Sequence, residues 1–137
     1  MTTKEIKRAI RKIWSVDRCR FIWAVDTHYH VPSLEDIKKF ITESKLNEEK
    51  PIPGSKECDF FAFMLHAESK RYFLNTNDNL KHPVAFGHCY CDHWAGWPVD
   101  HNANICVTDS GVYLIEPQND EIRQGSSQTD NVRIVGL

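Results

Sequence analysis

The hydrophobic pattern of the chain changes from helical spacing in its N-terminal half to strand-like runs in its C-terminal half. Near the N-terminus, Thr3 can cap a helix whose apolar residues recur at i, i+3, i+4, i+7 and i+8, so that one stripe faces a core. A second helix follows Ser33, which forms a capping-box-like start with Asp36, and a third runs from Cys58 to about Phe73. The first stripe consists of Ile6, Ala9, Ile10, Ile13 and Trp14.

Short apolar runs predict the strands. One run, residues 21–25, lies between the first two helices, and residues 83–90 form the first strand after the last helix. Residues 104–108 and 112–115 flank the turn at Asp109-Ser110-Gly111 and predict an antiparallel hairpin. Helices followed by antiparallel strands predict an α+β fold, in which N-terminal helices and a central helix pack on an antiparallel sheet.

Length and charge narrow the class of protein. The 137 residues fit a single domain that covers residues 1–137. Seventeen Lys and Arg against nineteen Asp and Glu give a net charge of −2, which does not indicate a nucleic-acid partner, and no apolar run has the length of a membrane span. Five cysteines, an odd number, follow a charged amphipathic start that does not resemble a signal peptide. This combination favours free thiols, a metal site or a catalytic cysteine in the cytoplasm over a disulfide framework.

Cys58 has the sequence context of a nucleophile. It follows a loop rich in proline and glycine, residues 47–56, and opens the third predicted helix. A helix N-terminus carries partial positive charge and unpaired N–H groups, which stabilise a thiolate and can bind an oxyanion. A thiol nucleophile also needs a base and a group that orients the base.

The predicted hairpin supplies both of these groups. His101 precedes the first strand of the hairpin and Glu116 follows the second, so an antiparallel arrangement makes them cross-strand neighbours. The midpoint between them falls at the predicted turn. We therefore expect Cys58, His101 and Glu116 to form a triad of nucleophile, general base and orienting acid.

The segments around these residues resemble a known family. Residues 57–62 read ECDFFA, residues 100–104 read DHNAN, and residues 114–118 read LIEPQ. They are similar to the segments that carry cysteine, histidine and glutamate in the calpain-like C-terminal peptidase domain of a mushroom agglutinin and its small bacterial and phage relatives. The resemblance covers roughly residues 20–123 and implies a papain-like cysteine peptidase or amidase, acting on a peptide or another amide.

The resemblance carries further implications and two departures. It implies calcium stimulation, for which Asp59, Glu116 and Gln118 offer oxygen ligands. Asp100 stands where the family has glycine, and Asn102 stands where it has alanine. Nothing in the chain resembles the sugar-binding repeats of the agglutinin, so lectin activity is not implied.

The remaining parts of the expected site are less specific. No glutamine precedes Cys58 to donate a hydrogen bond to an oxyanion, so backbone N–H groups or Asn104 would take that role. The substrate-contacting candidates are Asn104, Trp94, Trp97 and Gln118, although the two tryptophans are equally consistent with packing under the loop.

Two other functions compete with the hydrolase. Alternation along a strand places Cys89, Cys91 and His93 on one side, a three-ligand zinc arrangement to which Cys106 or His101 would add the fourth ligand. The first alternative is therefore a zinc-binding module. The second alternative is a catalytically silent binding module, in which Cys58 is an inert buried thiol.

Overall fold

A computed structural model describes all residues, 1–137, and contains three α-helices, a 3-10 helix and six strands. The helices are α1 (Thr3–Ile13), α2 (Leu34–Glu43) and α3 (Cys58–Thr76), with the 3-10 helix at Leu46–Glu48. The strands are β1 (Phe21–Trp23), β2 (Phe86–His93), β3 (His101–Thr108), β4 (Gly111–Glu116), β5 (Glu121–Gln124) and β6 (Asn131–Gly136). The α+β prediction is confirmed, and none of the helices has the length and apolar character needed to cross a membrane.

Capping residues begin the first two helices. Thr2, one residue earlier than expected, accepts a hydrogen bond from the N–H of Glu5, whose carboxylate binds the Thr2 N–H in return. Ser33 and Asp36 form the same reciprocal pair at α2, as the sequence predicted. Each pair satisfies two backbone N–H groups that lack helical partners.

The six strands form one mixed sheet in the order β1-β6-β2-β3-β4-β5. Four of the five pairings are antiparallel, as the predicted antiparallel sheet requires, whereas β1 and β6 at one edge are parallel. The predicted hairpin is present as β3 and β4, joined by a two-residue turn at Asp109 and Ser110. Strand β3 begins at His101 itself, three residues earlier than expected.

Helices cover both faces of the sheet. Side chains of α1, including Ile6, Ile10 and Trp14, pack with one face, to which Ala103 and Ile105 of β3 belong. The opposite face packs against α2 and α3 in a second cluster, which contains Phe61, Leu65, Phe86, Cys106 and Ile115. Alternate residues of β3 therefore contribute to different clusters, as the two-residue period of a strand requires.

Candidate functional site

The structure places the three predicted triad residues at the ends of three elements. Cys58 is the first residue of α3, His101 is the first residue of β3, and Glu116 is the last residue of β4. The hairpin brings His101 and Glu116 to one end of the sheet.

His101 and Glu116 form a short ion pair or hydrogen bond, depending on the protonation of the imidazole. His101 Nε2 lies 2.6 Å from Glu116 Oε2, and the side chains are only 15% and 11% exposed. The other carboxylate oxygen accepts a 3.3 Å hydrogen bond from the backbone N–H of Gln118. Glu116 is thus held by the chain that follows it, and it holds the imidazole ring in turn.

Cys58 lies beside Asn102 and has no hydrogen bond to His101. The Asn102 side-chain amide donates to Cys58 Sγ at 3.7 Å. Because neighbouring residues of a strand point to opposite faces, the imidazole of His101 leaves β3 on the side opposite to Asn102. The structure therefore brings His101 together with Glu116, and Cys58 together with the residue next to His101, without closing the triad.

The helix terminus at Cys58 presents unpaired donors. Glu57, the N-cap of α3, forms no side-chain capping hydrogen bond, and the backbone N–H groups of Cys58 and Asp59 have no acceptor in the protein. Such groups carry the positive end of the helix dipole. They suit a ligand oxygen or a negative charge next to the thiol.

Cys58 is the one cysteine of five that is not buried, and no cysteine is in a disulfide. Burial raises the pKa of Cys19 to about 11 and that of Cys106 to about 12. The pKa of Cys89 is also raised, by its hydrogen bond to Cys91 and by burial. The four buried thiols are shielded from solvent, so Cys58 is the cysteine that a reagent can reach.

Trp94 packs between the imidazole of His101 and the guanidinium of Arg123. Its ring centroid lies 4.8 Å from that of His101, and the guanidinium of Arg123 lies 4.0 Å from the Trp94 ring. Arg123 forms an ion pair with the fully buried carboxylate of Asp130. The sequence pointed to Trp94, but nothing in the local pattern of residues 121–130 indicated that Arg123 and Asp130 support it.

Asn104, which the sequence offered as an oxyanion donor, uses its side-chain amide within the fold. Its side chain is fully buried, and its amide donates to the backbone carbonyls of Ala62 and Gly87 at 2.8 and 3.0 Å. These bonds join α3 to the sheet and leave no donor for a ligand. Trp97 is 72% exposed, and Gln118 is held near Glu116 through its backbone.

The zinc prediction is not supported by the geometry. Cys89 and Cys91 are buried in the core with their sulfur atoms 4.0 Å apart, whereas His93 is exposed and bonded to Asp92. A β-bulge near His93 breaks the alternation that would have joined it to the two thiols. The structure contains no group of three or more His, Cys, Asp or Glu side chains arranged to hold a metal ion.

The side chains that the resemblance offers as calcium ligands, Asp59 and Glu116, are hydrogen-bonded within the protein. Both oxygens of Glu116 already have partners, and Asp59 accepts a hydrogen bond from the N–H of Phe60. Gln118 contacts Glu116 through its backbone N–H, and an N–H group is a hydrogen-bond donor that cannot bind a metal ion.

Cys58 is partly exposed. Five of the seven surface cavities, with volumes of about 270 to 480 Å³, have linings that include none of Cys58, His101 and Glu116. The largest two lie along α1 and beside Gly96.

Solved structures share this fold. The chain matches PSL1a, a chain of Polyporus squamosus lectin, in complex with E64, with a TM-score of 0.81 and 16% sequence identity over 100% of this chain and 50% of that one. It also matches Polyporus squamosus lectin bound to the human-type influenza-binding epitope Neu5Aca2-6Galb1-4GlcNAc, with a TM-score of 0.78, 16% identity, and coverage of 100% and 49%. The chain thus spans about half the length of these neighbours. No family model and no curated protein matches the sequence.

These comparisons contradict the prediction of a papain-like cysteine peptidase or amidase. The chains that share the fold are those of a lectin, and no matching family model or curated relative supports a hydrolase. The expected peptide or amide substrate is contradicted for the same reason, since one of the neighbours is bound to a glycan. At 16% identity the likeness establishes the fold, and the papain-like part of the fold prediction is unsupported.

Proposed function

We propose that the chain is a ligand-binding domain with a thiol-dependent site. Cys58 forms a covalent bond to an electrophilic ligand, His101 accepts and returns the thiol proton, and Glu116 stabilises the protonated imidazole. The observation that carries the proposal is that the only cysteine outside the core lies at a helix N-terminus, beside the strand end where a histidine is held by a carboxylate. The proposal assigns covalent ligand binding and no hydrolytic reaction.

Each group has a defined part in the attachment. Asn102 donates to Cys58 Sγ, an interaction that stabilises a thiolate, and the N–H groups of Cys58 and Asp59 bind a ligand oxygen. His101 takes the thiol proton and returns it to the ligand, while Glu116 stabilises the imidazolium between these steps. Because the imidazole leaves β3 on the side opposite to Asn102, this role requires His101, the first residue of β3, to shift toward Cys58 when the ligand binds. Apo sites often show looser geometry than the ligand-bound state.

E64, the ligand of one neighbouring structure, suits this chemistry and serves as the probe. It carries an epoxide, so attack by Cys58 forms a carbon–sulfur bond and breaks a carbon–oxygen bond. The released oxygen takes the proton from His101 and becomes a hydroxyl. No additional oxidant or reductant is needed.

The test compares the labelling rate of all five cysteines by E64 and by iodoacetamide at pH 7, read by peptide mass spectrometry. We expect labelling of Cys58 alone, at least about tenfold faster than a free cysteine, and no adduct in Cys58→Ala. His101→Ala should remove the advantage, and the buried cysteines serve as internal controls. Labelling of Cys58 at the rate of a free thiol would overturn the proposal.

A second candidate function, glycan binding, is favoured by a different surface. A cavity of about 440 Å³ has no hydrophobic residue in its lining, which includes Arg18, Asn131 and Arg133. Gly96 also lines it and directly precedes Trp97, whose side chain is 72% exposed. Polar groups beside an exposed indole suit a sugar, and the two arginines suit an acidic one such as that named for the lectin neighbour.

Trp97→Ala tests this candidate against Trp23→Ala, since both side chains are 72% exposed on different parts of the surface. Binding of the trisaccharide Neu5Aca2-6Galb1-4GlcNAc is measured by calorimetry, with the form lacking sialic acid as the second ligand. We expect Trp97→Ala to weaken binding about tenfold, or about 1.4 kcal/mol, and Trp23→Ala to leave it unchanged. Equal binding by both variants would reject the cavity as the glycan site.

Residues 1–137 are proposed to act as a single domain, because one sheet carries both hydrophobic clusters. The cytoplasmic location also remains a proposal, which the five unpaired cysteines support.

A further inference from the structure

The charge of the chain is unevenly distributed. Residues 1–20 contain seven Lys and Arg against two acidic residues and carry +5, whereas residues 21–137 carry −7. The whole-chain charge of −2 hides this separation. Most of the positive charge lies on α1, whose cations are Lys4, Lys7, Arg8, Arg11 and Lys12.

These cations form no ion pair within the protein. None of the five forms an ion pair, and Glu5, the only acid on α1, is bonded to Thr2 at the N-cap. Lys4, Arg8, Arg11 and Lys12 are exposed. The apolar side of the same helix is buried in the core, so the cationic side faces solvent.

Four of the cations share one helix face and line one cavity. Lys4, Lys7, Arg8 and Arg11 follow i, i+3, i+4 and i+7 spacing, and together with Thr3 they line a depression of about 480 Å³. At about 1.5 Å rise per residue, the stripe is about 10 Å long. Four positive charges thus converge on a space large enough for a small ligand.

Helix stability explains only part of this arrangement, namely Arg11, which lies in the last turn where the helix dipole favours a positive charge. Like charges at i, i+3 and i+4 repel each other, and Lys4 lies in the first turn, at the positive end of the helix dipole. The alternating signs typical of a solvent-exposed helix face are missing here. A multiply charged anion in the depression would remove the repulsion.

We infer that the outer face of α1 is a binding site for a multiply phosphorylated ligand, such as an inositol polyphosphate, either free or as the head group of a lipid. Phosphate suits the site because each group carries up to two charges and several acceptor oxygens. Arg8 and Arg11 supply planar forks for bidentate contacts, and Lys4 and Lys7 supply point charges. The site is separate from Cys58 and from the polar cavity beside Gly96.

The experiment uses the full chain and two variants with the same net charge. Lys7→Gln, Arg8→Gln and Arg11→Gln are combined in the helix variant, since glutamine is a good helix former. The control variant combines Lys39→Gln, Lys50→Gln and Lys81→Gln, three exposed lysines outside α1 that form no ion pair. Circular dichroism confirms that both retain their helix content.

Binding of inositol hexakisphosphate is measured by calorimetry, and binding to phosphatidylcholine vesicles with and without phosphatidylinositol 4,5-bisphosphate by sedimentation. We expect the helix variant to lose at least about tenfold in affinity, the control to bind like the native chain, and binding to weaken with salt. Helix-dependent binding of the free compound supports a soluble ligand, and helix-dependent binding only to the phosphoinositide vesicles supports a lipid. Failure of both probes to bind, or equal losses in both variants, would overturn the inference.

Discussion

His101 Nε2 lies 2.6 Å from Glu116 Oε2 although the two residues are not directly opposite each other in the β3–β4 hairpin. The register pairs Asn104 with Ile115, and its continuation places Glu116 opposite Ala103. His101 is therefore the diagonal neighbour of Glu116 on the same face of the sheet, a position within reach of long side chains. The pair joins the start of one strand to the end of the next.

Replacement of Glu116 by alanine should destabilise the fold and disorder the imidazole. The half-buried His101 would lose its partner, and the N–H of Gln118 would lose its acceptor. We expect the free energy of unfolding to fall by about 1–3 kcal/mol in urea titration. Glu121→Ala is the control, because its carboxylate is largely exposed and its contact with Arg123 is long, at 3.5 Å; a change below about 0.5 kcal/mol is expected there. Equal effects of the two changes would show that the His101–Glu116 pair contributes nothing particular.

Asn102→Ala should slow the alkylation of Cys58. The Asn102 amide is the one side-chain donor to Cys58 Sγ, and its loss removes stabilisation from the thiolate. A decrease of about threefold to tenfold in the iodoacetamide rate at pH 7 is expected, equivalent to about 0.7–1.4 kcal/mol. Asn119→Ala, an exposed change on the β4–β5 turn, is the control. An unchanged rate in Asn102→Ala would mean that the 3.7 Å contact does not influence the thiol.

The part of the site that the sequence predicted depends on local geometry. In a hairpin, residues that are equally far from the turn along the sequence lie close together on the two strands. The turn at Asp109 and Ser110 therefore allowed His101 and Glu116 to be paired without knowledge of the rest of the fold. The exact register could not be predicted, because the turn contains two residues where three were expected. Cys58 was placed correctly at a helix start because the preceding prolines and glycine end the loop there.

The long-range part of the structure could not be predicted. Cys58 and Asn102 are 44 residues apart, and no pattern along the chain indicates that an asparagine would be the partner of the thiol. Strand β6 was missed because its six residues have no clear alternation, and its place between β1 and β2 joins the two ends of the chain. Asn104 looked like a site residue because burial cannot be read from its position in a polar segment.

Asn104→Ala should be among the most destabilising polar substitutions. The Asn104 amide donates to two backbone carbonyls in a fully buried position, and alanine would remove both hydrogen bonds and leave the buried space unfilled. We expect a loss of about 2–4 kcal/mol, measured by urea unfolding. Asn47→Ala, at an exposed position of the 3-10 helix, should change stability by less than about 0.5 kcal/mol. A loss below about 1 kcal/mol at Asn104 would show that these two bonds do not hold α3 to the sheet.

Stability should also fall between pH 6.5 and about 4 because of a histidine pair between α3 and β2. His66 Nδ1 and His88 Nδ1 lie 3.0 Å apart, a geometry that requires at least one of the two rings to be neutral. Burial, followed by the charges of Lys70 and His88, lowers the pKa of His66 to about 4, and burial lowers the pKa of His88. Both groups are neutral in the fold at pH 7.

The sign of the effect follows from the direction of these shifts. In the unfolded chain both histidines titrate near pH 6.5, so on acidification the unfolded state binds protons before the folded state does. The stability present above pH 6.5 is therefore lost progressively toward pH 4, by an amount on the order of 2 kcal/mol after allowance for partial exposure. Urea titrations at pH 7, 5.5 and 4.5 measure this loss, and His66→Leu should reduce it because the variant cannot take up that proton. His82→Asn, which changes an exposed histidine, should retain the native slope. If His66→Leu and the native chain lose stability equally, carboxylates elsewhere account for the acid sensitivity and the pair does not.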